Sequence, residues 1–161
     1  MWIVMYLSYM LMGVSFFLLA LTGLMGYFNL ILLTVNHIQV SLIASIVYMF
    51  TETLIMFYFI ITGKKIKEYI YDNQCEPEMY SNVIRMKMKL FPHVTINMII
   101  FGAQFILGGA VHNGSFPGWA HGLMFDLAIL HFIWVIIIQH NCFKENTELV
   151  ISLYRQIKER K

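Results

Sequence analysis

Apolar positions gather into four long stretches, residues 2–28, 40–62, 94–111 and 120–138, and the polar positions lie mostly between them. Each stretch is close to the roughly 20 residues with which a helix crosses a bilayer. Nothing alternates with period two, as lipid-facing barrel strands would, and helices alone satisfy their backbone groups within a segment. The pattern predicts an all-α integral membrane protein, a four-transmembrane-helix up-and-down bundle, with spans at about 2–28, 38–63, 92–111 and 119–140 in a single domain (1–161).

Polar residues inside the spans recur at helical spacing. Ser8, Ser15, Thr22 and Gly26 form a small-residue stripe on the first span, suited to close helix packing. On the second, His37, Ser41, Ser45, Tyr48, Thr51 and Glu52 share about a third of the circumference at ~100° per residue. Asn97, Gln104, Gly108 and His112 share a face of the third. His121, Phe125, Phe132 and Gln139 share one on the fourth, with His131 to its side and Asp126 opposite. Stripes of this kind are expected to face the bundle interior, since lipid cannot satisfy them.

Between and beyond the spans, residues 64–91 read as a loop with a short amphipathic helix that Pro77 would start, after a turn near Asn73–Glu76. The tail 144–161, "NTELVISLYRQIKERK" from Asn146 onward, reads as an amphipathic helix capped by Asn146 or Thr147. It would lie on the inner leaflet or dock on a partner.

Charge orients the spans. All 11 Lys and Arg fall in two places, the central loop (Lys64, Lys65, Lys67, Arg85, Lys87, Lys89) and the tail (Lys144, Arg155, Lys158, Arg160, Lys161). The positive-inside rule puts both in the cytoplasm, with the N- and C-termini. A bacterial or archaeal cytoplasmic (inner) membrane is the expected location. The first span has no basic region before it and is too long for a signal-peptide core. Cys75 and Cys142 then face a reducing compartment and form no metal motif. No phosphate-binding, nucleophile-elbow or nucleic-acid signature occurs, and the twelve Met read as packing.

The candidate chemistry lies in the histidines. Of six, His37, His112 and His121 fall near the outer surface, the latter two flanking the turn in "VHNGSFPGWAHGLMFDLAILH" (111–131). Three imidazoles suit a transition metal (Cu, Fe or Zn), and two suit b-type haem. His93 and His140 share a depth near the inner surface. With His37 and His121 they would make two axial-ligand pairs, a spacing that suits electron transfer across a membrane. Histidines at helix ends also simply cap backbone groups and face water.

Glu52 and Asp126 are the carboxylates inside the spans. A charged carboxylate at mid-membrane costs about 2.5–3.5 kcal/mol even on insertion scales, so Glu52 needs a proton, a partner or water. The sequence offers His131 as that partner, with Tyr48 and Asn97 nearby, as a proton relay, a quinone hydrogen-bonding site or structural glue. Asp126 is expected to contact the first span or a partner.

Three functions follow as expectations. The first is a small membrane redox subunit that binds haem or a metal through its histidines and exchanges electrons with quinone. The second is a cofactor-free accessory subunit of a larger membrane complex. The third is proton or metal-ion conduction through Glu52 and His131. In each the chain works with lipid and with other membrane subunits or its own copies, without nucleic acid; any enzymatic activity is expected to belong to a membrane oxidoreductase of which it is a subunit and not to the chain on its own.

Overall fold

The computed structural model describes residues 2–31, 35–75 and 78–159. It consists of four helices, α1 (Trp2–Phe28), α2 (His37–Asp72), α3 (Glu78–His112) and α4 (Gly118–Glu159). All four are long and apolar enough to cross a membrane. They run up and down in cyclic order, α1 against α2, α2 against α3, α3 against α4, and α4 more lightly against α1. The α1–α2 and α3–α4 connections mark what we call the upper end. Both termini and the α2–α3 connection mark the lower end.

The core follows a heptad-like rhythm. Met5, Ser8, Met12, Ser15, Leu19, Thr22 and Met25 are the buried residues of α1. On α4 the buried series includes Ala128, Phe132, Val135, Gln139, Cys142, Asn146, Leu149 and Leu153, in unbroken steps of four and three. That spacing keeps one seam of each helix toward its neighbours, the geometry of a left-handed bundle. Outside the seam the surface is greasy: Ile3, Phe17, Ile99 and Ile106 are all exposed. Hydrocarbon accommodates such a surface; water does not.

The helices outrun the expected spans. α2 continues to Asp72, one residue past Tyr71, to which the sequence lets this helix run on beyond its span, and α3 passes through Pro92 without a break. Residues 78–91 are therefore the lower part of α3 and no separate amphipathic helix; Pro77 lies outside the described residues. The tail is likewise the last third of α4. Asn146 does not cap it: it is buried inside the helix, and its Nδ2 donates to the Tyr58 hydroxyl of α2 at 3.1 Å. The heptad series runs through 142, 146, 149 and 153 in phase, so packing on α2 and α3 carries the helix onward.

At the lower end α2 and α3 approach closely at Gly63. A Cβ there would lie 2.8 Å from Val83 Cγ1 and 2.8 Å from Lys87 Nζ. Lysine can swing away, but valine on a helix cannot. Gly63→Val is expected to destabilise by about 1–3 kcal/mol through overpacking, read as a lower melting temperature in detergent. Wild-type stability would mean that the two helices part there freely.

The helix ends fix where the upper residues sit. Asn36 caps α2 with a capping box: its Oδ1 accepts from Gln39 N at 3.0 Å, and its own N–H donates to Gln39 Oε1 at 3.1 Å. This aims His37 into the bundle. α3 ends in a Schellman turn, with Ser115 N donating to Ala110 O and Gly114 N to Val111 O. Gly114 takes the required left-handed conformation, φ +72°. The Pro117 carbonyl then accepts from Ala120 N and His121 N, starting α4.

Candidate functional site

A cavity of about 580 Å³ occupies the upper half of the bundle, lined by all four helices. This is within the usual range for small-molecule sites. His37, His112 and His121, which the sequence groups together, all line it. His37 and His121 are half-buried, whereas His112 is exposed at the rim. The three do not form a metal site; among the described residues no group of three His, Cys, Asp or Glu is close enough to hold an ion.

Geometry assigns the His37 tautomer. Its Nδ1 lies 2.9 Å from the Thr22 carbonyl. A carbonyl only accepts, so Nδ1 carries a proton, and in the neutral ring Nε2 keeps the lone pair. That Nε2 has no hydrogen-bond partner among the described residues. Gly26 makes room for the ring, since a Cβ there would come within 3.0 Å of its Cε1.

His121 is held differently. The Gln104 amide nitrogen lies 3.0 Å from the His121 carbonyl and 3.3 Å from its Nε2. The amide donates, so Nε2 accepts and is already engaged. His121 Nδ1 and Gln104 Oε1 are buried with no partner. A polar atom buried without a partner costs about 1–3 kcal/mol, and such exceptions in a cavity wall point to a ligand or water. Ser41 and Ser45 add hydroxyls to the same wall, while Leu19, Phe101 and Phe125 supply its apolar area.

The other sequence-selected residues form separate clusters. Tyr48 O–H donates to Asn97 Oδ1 at 2.6 Å, and Asn97 Nδ2 donates to Ala128 O at 3.2 Å and to His131 Nδ1 at 2.9 Å. The amide thus has both N–H groups and its oxygen in use, tying α2, α3 and α4. Glu52 does not meet His131, the partner expected from sequence. It accepts instead from Gln139 Nε2 of α4, across the bundle diagonal. Both are fully buried, and Glu52 Oε1 and Gln139 Oε1 have no partner. No hydrogen-bonded chain joins Glu52 to His131 among the described residues, because each is closed off by its own amide.

The expected lower axial pair is also parted. His93 lies near His131, with ring centroids 6.0 Å apart and the rings tilted by 48°. His140 Nδ1 is paired with the Tyr9 hydroxyl of α1 at 2.9 Å. His131 and His140 stand nine residues apart, hence on opposite faces of α4 at about 100° per residue. Asp126 meets the first helix, as expected: Tyr27 O–H donates to its Oδ2 at 2.7 Å.

The sequence reading passed over the Gln104–His121 pairing and the Asn36/Gln39 box. The second has a legible signal, N-x-x-Q before an apolar run. Comparison of the chain with known protein families, curated proteins and solved structures finds no match.

Proposed function

We propose that this is a small integral-membrane redox subunit whose upper cavity binds the ring of a quinone or quinol. One observation carries this: two residues that line the same apolar-walled cavity, His37 and Gln104, each keep a polar atom, Nε2 and Oε1, without a hydrogen-bond partner among the described residues. A quinol presents two hydroxyls on a flat apolar ring, and these atoms are acceptors for such donors. For a quinone, Ser45 offers a hydroxyl donor, and so does Ser41 once it turns from the Ile38 carbonyl. With the basic segments in the cytoplasm, the upper end faces outward, and the cavity lies in the outer half of the bilayer. His37 Nε2 is then set to accept a hydrogen bond from one quinol hydroxyl.

A b-type haem held by His37 and His121 is the second reading, favoured by two imidazoles from facing helices in one cavity. It requires His121 to release Gln104. A bare metal ion is not proposed, because the third histidine stands apart at the rim.

The test is binding in lipid nanodiscs, followed by tryptophan fluorescence quenching with a water-soluble benzoquinone. Saturable binding is expected, weakened about tenfold or more by His37→Ala, which is about 1.4 kcal/mol. His140→Ala, at the lower end, should change nothing. Equal binding by the His37→Ala and wild-type proteins would overturn the reading, and a Soret band in protein as purified would favour haem.

A further inference from the structure

Three of the four seams around the cavity are bridged. Thr22 and His37 tie α1 to α2, and Gln104 and His121 tie α3 to α4. Between α1 and α4, Tyr27 bonds Asp126, and the Phe125 ring lies so near Gly23 that a Cβ would sit 2.6 Å from it.

The fourth seam, between α2 and α3, is open. The two helices close at Met49 and Gly102, where a Cβ on Gly102 would lie 3.6 Å from the Met49 methyl. Above that level no hydrogen bond or ring contact joins them among the described residues. There α2 turns Ile38, Ser41 and Ser45 to the cavity, and α3 turns Phe105, Ile106 and Gly109. Ile38 is 49%, Phe105 45% and Ile106 73% exposed, although all three line the cavity. A Cβ on Gly109 would meet nothing within 4 Å. α2 and α3 follow one another at the lower end of the bundle, so no short connection holds their upper ends together, and no bond like that between Tyr27 and Asp126 stands in for one among the described residues.

We infer that the ligand reaches this cavity sideways from the bilayer, between α2 and α3, and that it carries a hydrocarbon tail that stays in the cleft. The inference rests on the quinone reading and names the ligand's class more narrowly, as a quinone with an isoprenoid or alkyl chain. The order of chemistry along the cleft supports it. Gln104 is buried and His37 half-buried in the wall, Ser41 and Ser45 add hydroxyls along α2, and Phe105, Ile106 and Ile38 lie exposed at a mouth that faces acyl chains. A ring with polar oxygens and an apolar tail matches that order from one end to the other. A tail in the cleft exchanges lipid contacts for Phe and Ile contacts of similar kind, so it adds no desolvation penalty for a polar group.

The experiment uses the full chain in nanodiscs and a benzoquinone with an isoprenoid tail that bears a diazirine. Photolysis is expected to label α2 around residues 38–45 and α3 around 105–109, with excess untagged quinone competing. Gly109→Trp, which fills open space, is expected to lower that yield about tenfold. Label on α1 or α4, or an unchanged yield in Gly109→Trp with the label elsewhere, overturns lateral access even if the tailless quinone still binds in a His37-dependent way. Uncompeted labelling along the whole outer surface marks ordinary lipid contact and overturns it too. If the tailless quinone shows no His37-dependent binding, the underlying reading fails first. The label map of wild-type protein decides the matter even where the tryptophan variant does not fold.

Discussion

Replacing Asn97 with leucine is expected to cost about 2–4 kcal/mol, the upper part of the range for single substitutions. Three partners on two neighbouring helices depend on this one amide: the Tyr48 hydroxyl, the Ala128 carbonyl and His131 Nδ1. Bonds between membrane helices average only about 0.6 kcal/mol in double-mutant cycles, because partners are usually found elsewhere. Tyr48 has no such freedom. It is fully buried, with its ring wedged against Phe101 and Phe132 at 4.6 and 5.0 Å between centroids. Its stranded O–H then bears the full cost of desolvation. Thermal unfolding in detergent checks this, and the diagnostic is the pair Asn97→Leu and Tyr48→Phe. The double variant should be no less stable than Asn97→Leu alone. A loss below about 0.5 kcal/mol for Asn97→Leu, the level of an ordinary surface change, would mean that the amide is not structural.

Much of this arrangement was legible from periodicity. The polar stripe on α2 does face inward, with Tyr48, Thr51 and Glu52 buried and His37, Ser41 and Ser45 lining the cavity. Asn97 and Gln104 on α3 are buried as well. Periodicity gives the face of one helix; it does not say which neighbour that face meets, or at what height. Depth alone therefore pairs Glu52 with His131, whereas the diagonal contact from α2 to α4 brings it to Gln139. Sequence places His131 and His140 half a turn apart on one helix, but that His93 lies on the His131 side comes only from the packing of α3 on α4. The continuous tail was within reach, from the unbroken heptads of α4. The open seam was not, because it arises where helices diverge, and a glycine facing empty space reads in sequence like Gly26, which faces a ring.

Removing Gln139 alone is expected to do more damage than removing Gln139 and Glu52 together. Gln139→Leu leaves a carboxyl in the centre of the bundle with no donor, where both residues are fully buried. The loss should be about 3 kcal/mol, the upper end for a buried polar group left unsatisfied. In the double variant, Glu52→Leu with Gln139→Leu, no polar atom of the pair remains to be desolvated. Replacement of a buried polar pair by apolar groups of similar size is often neutral or stabilising. Glu52→Gln should cost less than about 1 kcal/mol, because its side-chain oxygen still accepts from Gln139 Nε2. Melting temperatures of these variants in one detergent give the order: wild type near Glu52→Gln, the double variant close to both, and Gln139→Leu well below. That order follows from a pair whose members are each costly alone. If Gln139→Leu were instead as stable as the double variant, the carboxyl would have found another donor, and the diagonal bond would hold nothing together.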